Sequence, residues 1–458
     1  MQKLEELIKN NQGKNILFLG KVLNFTQDEL SKFCSKLGLN AIFKYEGQDI
    51  ALTVISSILT PLEEQISYEL YEKKVPEIKL EEFENFYVKS LKPNSLLMSL
   101  KLSNNQERLK RLLKVKAFDD ETFLKLFNLY NWGNEGVFDN DDNRDVTISF
   151  IKRFYPHFSH FNHHEIMHSP ATILEIALTN ENAEVLKALS KMPNFKINAR
   201  KQEEWKPREL REFIAVNPNI PNDLIDNFLN LNNQRLNTLL AQNSAINKTQ
   251  QEKILNQENR EALLKLAINP SLDDEIFKKL LSKDLDIVKE LLKNQKITKA
   301  RLNDIISINQ DYLLYLAQNE NIYEVKDELL FKNEELDLAL ASNKALNSSD
   351  LENLFNKYGK KIVTNLCKNP NLSSKLISKF YKSATNEQKL YIASNPNTPQ
   401  EILDELFNLD NKEINRYLAL NPSLKDEYLD YFKLDNELLR IMSKNPKFLQ
   451  KVSKKEYI

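Results

Sequence analysis

Asparagine recurs along this chain at a near-constant step. It stands at 217, 243, 269, 294, 319, 343, 369, 395, 421 and 445, separated by 26, 26, 25, 25, 24, 26, 26, 26 and 24 residues. Proline follows it at 218, 270, 370, 396, 422 and 446. A fixed period of this size marks an array in which one supersecondary unit is stacked repeatedly on itself. In such an array each unit contacts only its neighbours, so the chain extends one core instead of building several globular ones.

The phase inside each unit is equally regular. Two residues before the Asn stands Ala at 215, 241, 267, 317, 341, 393 and 419, with Cys367 in the same place. One residue earlier come Ile214, Leu240, Leu266, Leu316, Leu340, Ile392 and Leu418, and seven before the Asn come Leu210, Leu236, Leu336 and Ile414. These offsets share one helical face, and the small Ala lets a neighbouring helix approach closely. Three residues after the Asn stand Ile220, Ile246, Leu272, Ile297, Ile322, Leu346, Leu372 and Leu424. Apolar pairs such as Phe277 with Leu280 and Leu403 with Leu406 then define a second short helix.

The turn chemistry agrees. Pro after Asn stops the first helix, since the residue before proline is driven out of the α region. Pro221 and Pro399 are expected in the first turn of the next helix. Thr398, Ser373 and Asp273 are expected N-caps. Each unit then holds two helices of about nine residues, roughly 13 Å long. Helices this short are marginal alone, and stacking must supply their burial. The Asn side chains are expected to stack and to hydrogen-bond the turn backbone. Upstream, Phe118-Asp-Asp-Glu-Thr-Phe-Leu-Lys-Leu-Phe127 matches the pattern of Leu272-Asp-Asp-Glu-Ile-Phe-Lys-Lys-Leu-Leu281. The array therefore begins near residue 97.

Asn395-Pro-Asn-Thr-Pro-Gln-Glu-Ile-Leu-Asp-Glu-Leu-Phe407, followed by a helix ending Ala419-Leu-Asn-Pro422, resembles the leucine-rich repeat variant, an α-solenoid related to HEAT and armadillo arrays. The resemblance implies a right-handed superhelix with short or 3₁₀ first helices, and it implies no particular activity. The iron–sulfur module sometimes joined to such repeats needs clustered cysteines. This chain has only Cys34 and Cys367.

Four of the seven glycines lie before residue 50, so the first stretch has another architecture. It reads β-α-β-β-α-β. Asn15–Leu19 is a buried strand ending at Gly20. A helix runs from Thr26 to Leu37, capped by Thr26 and ended by Gly38. Strands follow at Ala41–Tyr45 and Ala51–Ile55, then a helix from Pro61 to Lys73, a short strand at Val75–Ile78, and a closing helix from Leu80 to Val88. The order, the Gly20 turn and the Leu37-Gly38 helix end resemble a BRCT domain. BRCT readers of phosphopeptides carry Ser or Thr before that glycine and a Lys opening the second helix. Here Leu19 and Glu63-Glu64 stand in those places, which points to a docking or capping module. The expected organisation is a small α/β domain at 1–92 and a mainly α repeat array at 93–458, irregular at 128–168.

Lys plus Arg is 64 and Asp plus Glu is 65, so the chain is not a general polyanion binder. Two cysteines make no disulfide framework, and the charged start at Met1 has no apolar leader core. No apolar run reaches the length of a membrane span. A cytoplasmic location without membrane contact is expected.

Three segments carry potential chemistry. All five histidines lie between 157 and 168, and His164-Glu-Ile-Met-His168 matches the zincin pattern of two zinc ligands one turn apart with a general base between them. A metal-dependent hydrolase of His164, Glu165 and His168 is one reading. Zinc held without catalysis by His160, His164 and His168 is another. Against the protease, Ser169-Pro170 opens the next helix, and Ala171 and Leu174 replace the Gly and His of the extended pattern. Asp139, Asp141, Asn143 and Asp145 alternate as calcium ligands do, but Arg144 replaces the turn glycine and Phe150 the bidentate Glu. A solvated loop capping the next helix at Asp145 is expected. Finally, the repeat pattern fails between Met192 and Asn217. There Trp205 stands among Lys196, Arg200, Lys201, Lys206 and Arg208, a loop suited to anchoring a partner or to stacking bases. The expected function is a non-enzymatic scaffold or adaptor without cofactor that binds a protein partner. Nucleic-acid binding through the Trp205 loop is the lesser alternative.

Overall fold

The computed structural model describes residues 2–157, 170–196 and 206–453. The protein is mainly helical, with a small parallel sheet near its N-terminus. It divides into two compact units, Met1–Asn230 and Leu231–Ile458. Among the described residues no helix is long and apolar enough to cross a membrane.

The first unit opens with helix α1 (Gln2–Asn10) and strand β1 (Asn15–Leu19), followed by α2 (Gln27–Lys36), β2 (Asn40–Ile42), β3 (Leu52–Ile55), α3 (Pro61–Glu72), β4 (Glu77–Lys79) and α4 (Leu80–Ser90). The sheet order is β2-β1-β3-β4, every pair parallel. β1 is central and apolar on both sides, as a strand covered on both faces must be. On one face Phe18 packs edge-on against Phe83 of α4, which meets Phe33 of α2. On the other, Leu17 and Leu19 pack with Ile50 and with Leu70 of α3. Thr26 and Thr60 each form a capping box, with Glu29 and Glu63. The second strand is shorter than its sequence suggests, because pairing with β1 stops at Ile42 and Phe43 turns to stack on Phe18.

Past residue 92 the described residues form a succession of short helices. In the second unit alternate helices lie side by side: Gln234–Ala241 beside Arg260–Ala267, and that beside Leu285–Asn294. Further along, Val363–Cys367 packs on Asn386–Ser394, and that on Lys412–Leu418. Asp119 and Asp273 cap equivalent helices, as the matching of Phe118–Phe127 to Leu272–Leu281 predicts. Ser373 is also a cap. Thr398 is not: its hydroxyl donates to the Ile392 carbonyl at 2.6 Å, and Pro399 is left as the cap residue of the following helix. The Ile392 carbonyl also accepts the Asn395 N–H at 3.2 Å, so the hydroxyl adds a second bond at the end of the preceding helix.

The recurring Asn side chains form a ladder. Asn269 donates to the carbonyls of Ala241 (2.7 Å) and Asn243 (2.9 Å), while its own carbonyl accepts the N–H of Ser271 (2.8 Å). The same donor pattern recurs at Asn343, Asn369, Asn421 and Asn445, and in the first unit Asn217 reaches Ala177 and Asn180. Each of these residues is buried. One rung departs from its expected position. Asn294 is exposed and bonds within its own helix to Glu290, and Gln295 takes the ladder position, donating to Ala267 and Asn269 at 2.8 Å each. The longer Gln places its amide on the same two carbonyls but forms no local turn with its own oxygen. That oxygen accepts instead from Arg301 at 3.2 Å. Arg301 also donates to Asp274, Lys296 and Leu272, and its guanidinium lies 4.7 Å from the Phe277 ring centroid.

Candidate functional site

The zincin-like pattern lies outside the described residues, as do His160, His163, His164 and His168. His157, the one described histidine, has its ring 5.9 Å from that of Tyr155.

Of the basic loop, Arg200, Lys201 and Trp205 also lie outside the described residues. The flanks are brought together. Lys196 and Glu209 form an antiparallel bridge, the Asn194 amide donates to Glu209 at 2.8 Å, and the Leu210 N–H reaches the Phe195 carbonyl at 3.0 Å. Lys206 is exposed. Arg208 is half-buried, with its backbone N–H on Glu212 at 2.7 Å and its Nε buried without a hydrogen-bond partner. The break in the repeat is thus stapled at its base.

The acidic segment 139–145 does not converge on a cation. The Asp139 carboxylate accepts the Gly136 N–H, Asp141 pairs with Arg144, and Asp145 pairs with Lys114. Asn143 is buried, accepting from the Tyr130 hydroxyl and donating to the carbonyls of Trp132 and Gly136. The cap of helix Asp141–Phe154 is Asn140, not Asp145, which lies inside that helix. The helix starts earlier because Asn140 offers an equally good cap in front of five more helical residues.

The first unit carries a cleft of about 720 Å³ beyond the carboxyl ends of β1, β3 and β4. Crevices of this kind form where the strand order reverses, here between β1 and β3. Gly20 ends β1 at φ +85, and a Cβ there would sit 2.4 Å from the Ile58 carbonyl, so only glycine fits. The Gly20 N–H faces the start of α3 and is already taken. Glu63 accepts it at 3.1 Å while also accepting the Thr60 backbone N–H and hydroxyl, both at 2.7 Å. The Thr60 backbone and hydroxyl bonds hold the Glu63 carboxyl below its ordinary range, with the Gly20 N–H adding to them. The Gly20 N–H is therefore satisfied by a carboxylate of the chain itself.

Lys21, Lys79 and Lys116 line the same cleft and have no ion-pair partner among the described residues. Glu84 lines it too. It is 4 % exposed, one carboxylate oxygen accepts from Asn24 at 2.7 Å, and the other has no partner. Burial pushes its carboxyl up to about 7, against the effect of Asn24. The sequence reading passed over Glu84. The available signal was its place on the apolar stripe Leu80, Phe83, Tyr87, Val88, where a charged residue is out of pattern. Arg108 closes the neighbouring edge, with its guanidinium 2.6 Å from both Glu29 oxygens and 3.4 Å from the Asn24 carbonyl.

No protein-family model, no characterised protein and no solved structure matches this chain.

Proposed function

We propose that this chain is a non-enzymatic α-solenoid scaffold of the leucine-rich repeat variant type, binding a protein partner in the cytoplasm through its repeat surface. The observation that carries the reading is the Asn ladder. Buried side-chain amides tie each unit to the backbone of the one before it, from Asn269 to Asn445 in the second unit. Bonding of this kind makes a stiff surface from units that cannot fold alone, and a preordered surface loses little entropy on binding. The side chains left outside include large apolar ones suited to an interface, such as Phe331, Tyr431 and Leu434.

Residues 1–92 are read as a BRCT-like docking or capping module ahead of the repeats at 93–458. The parallel order β2-β1-β3-β4 supports the module, and Glu63 on the Gly20 N–H favours docking over phosphate reading.

Affinity capture of the tagged chain from native lysate, with and without nuclease, tests the scaffold reading. The expected result is a protein recovered in stoichiometric amount that survives nuclease and rebinds when both components are pure. Recovery that vanishes with nuclease, or purified chain carrying stoichiometric zinc and hydrolysing peptides, overturns it.

A further inference from the structure

The second unit holds a cleft with an aromatic wall. Helices Gln400–Asn408, Lys412–Leu418 and Asp426–Phe432 surround a space of about 470 Å³. One wall is aromatic. The Phe407 ring stacks on Tyr428 at 4.0 Å and 17°, and Tyr431 meets Phe407 edge to face at 5.5 Å. The wall is held rigidly, because the Tyr428 hydroxyl donates to Asp404 at 2.8 Å and Lys425 binds the other oxygen of that carboxylate. Tyr431 is nevertheless 55 % exposed, which for a large ring on a rigid wall leaves a face free to stack.

Asn415 lines the same cleft. It is only 8 % exposed, its side chain makes no hydrogen bond among the described residues, and its oxygen is buried without a partner. Register shows how unusual this is. Asn415 stands six residues before ladder residue Asn421, as Asn237 does before Asn243 and Asp337 before Asn343. Asn237 donates to Gln257 at 2.8 Å, and Asp337 accepts from the Tyr358 hydroxyl and the Phe331 N–H. At both positions the side chain is engaged, although the Asn237 oxygen is itself buried without a partner, whereas the Asn415 side chain has no partner of either kind among the described residues. A buried amide oxygen without a partner is unfavourable, so a donor that completes it is favoured.

The charge around the cleft is one-sided. Asp410 and Glu427 line it and no cation does. The nearby bases have their close ion pairs outside the cleft, Lys433 with Asp430, Arg416 with Glu437 and Lys425 with Asp404, although Lys425 also lies 5.6 Å from the Tyr428 ring centroid. Asp410 has no ion-pair partner among the described residues, and Glu427 has only Lys425 at 3.9 Å. An aromatic wall, an open amide and two carboxylates suit a planar cation with several donors. A guanidinium fits this description better than an ammonium, because it stacks on a ring and donates sideways at the same time.

We propose that the cleft between Phe407, Asn415 and Tyr431 is an anchor for an arginine side chain on the protein partner. The guanidinium stacks on Tyr431, donates to Asp410 and Glu427, and meets the Asn415 amide. The proposal rests on the protein-binding reading above, and its test separates the two.

The test uses the whole chain, a fluorescent peptide Gly-Gly-Arg-Gly-Gly, and its Lys and Glu counterparts. The variants are Tyr431→Ala and Asp410→Asn. Both sites are exposed, and Asn suits the left-handed backbone of 410 (φ +46). Tyr323→Ala, at a tyrosine 61 % exposed elsewhere in the unit, is the control. Saturable binding of the Arg peptide is expected, weakened about fivefold by each cleft variant, unchanged by Tyr323→Ala, and weaker for the Lys peptide. Absence of saturable binding, equal loss in the control variant, or preference for the Glu peptide overturns the anchor. If the Tyr431→Ala, Asp410→Asn double variant still captures the partner with undiminished affinity, the anchor fails and the scaffold reading stands. If the Arg peptide binds and no protein partner is ever captured, the reverse holds.

Discussion

Asn421 donates its side-chain amide to the backbone carbonyl of Asn395 at 2.8 Å, and Asn395 does the same to Asn369, also at 2.8 Å. The donor is always on a side chain and the acceptor always on the backbone of the preceding unit. Each rung also fixes its own turn, since Asn421 accepts the Ser423 N–H and Asn395 the Asn397 N–H. One residue thus joins local turn geometry to contact between units, which is why its spacing is so constant.

Replacing Asn269 tests the rung directly. Asn269→Ala removes the side-chain partner of the Ala241 carbonyl and the Ser271 N–H and leaves the Asn243 carbonyl with only the Ile246 N–H, and a loss of about 2–4 kcal/mol is expected on denaturant unfolding. Amide exchange at Ser271 should quicken as well. Asn269→Asp should cost more, because a carboxylate would face two carbonyl oxygens. Asn269→Gln should cost least, since Gln295 already serves the same role. An unchanged unfolding midpoint in Asn269→Ala would remove the ladder from the stability of the array.

Arg301 is the second tie. It donates to Asp274, Gln295, Lys296 and Leu272 while only 8 % exposed. Arg301→Met keeps most of the packing over Phe277 but orphans the Leu272 carbonyl, and about 2–3 kcal/mol should be lost. Because Arg301 and Gln295 share a hydrogen bond, a double-mutant cycle with Gln295→Ala should be non-additive. Additive losses would show the two to be independent.

Glu84 makes the stability of the first unit depend on pH. Its carboxyl lies at about 7 in the folded chain against an ordinary 4.5, so the folded state holds a proton that the unfolded state has released. That contribution is complete below about 4.5 and is lost as pH rises through 7. Unfolding followed between pH 5 and 8 should show stability falling by on the order of 2–3 kcal/mol from this group. In Glu84→Gln the fall should vanish, with Asn24 still able to donate to the new amide oxygen. A native slope that survives the substitution would assign the effect to another group.

Gly20→Ala should unfold the sheet. The added Cβ would lie 2.4 Å from the Ile58 carbonyl and 2.8 Å from Leu59, at a φ of +85 that alanine rarely adopts. More than about 2 kcal/mol is expected, read from loss of the unit's unfolding transition. Leu19→Ser is a useful companion. It puts a hydroxyl beside Gly20, and if Glu63 truly fills this edge the variant should gain no affinity for inorganic phosphate. Phosphate binding by that variant would show the Glu63 carboxylate to be easily displaced.

The repeat was legible because its key residues are used at the place where they stand in the chain. An Asn that closes its own turn and reaches back one unit must recur at the unit length, and the Ala two residues ahead must recur with it. The exceptions follow the same logic. Asn294 fits the count and Gln295 fits the contact, and only the position of two carbonyls from the preceding unit tells them apart. Asp145 and Thr398 both belong to the cap-forming residue types. Whether each caps a helix depends on where the hydrogen-bonding groups of adjacent turns come to lie.

The amino-acid sequence alone determined what repeats along it: the period, the apolar faces, the chain reversals and the separate α/β start. These are properties of residues close together in the chain, set by backbone sterics and helical periodicity. Tertiary structure decided everything that depends on groups far apart. Glu63 reaches the Gly20 N–H across 43 residues, Glu84 loses its water against the sheet, and Asn415 lacks the partner that Asn237 finds. Desolvation and hydrogen-bond completion are set by what surrounds a side chain in space, and no spacing along the chain encodes that directly.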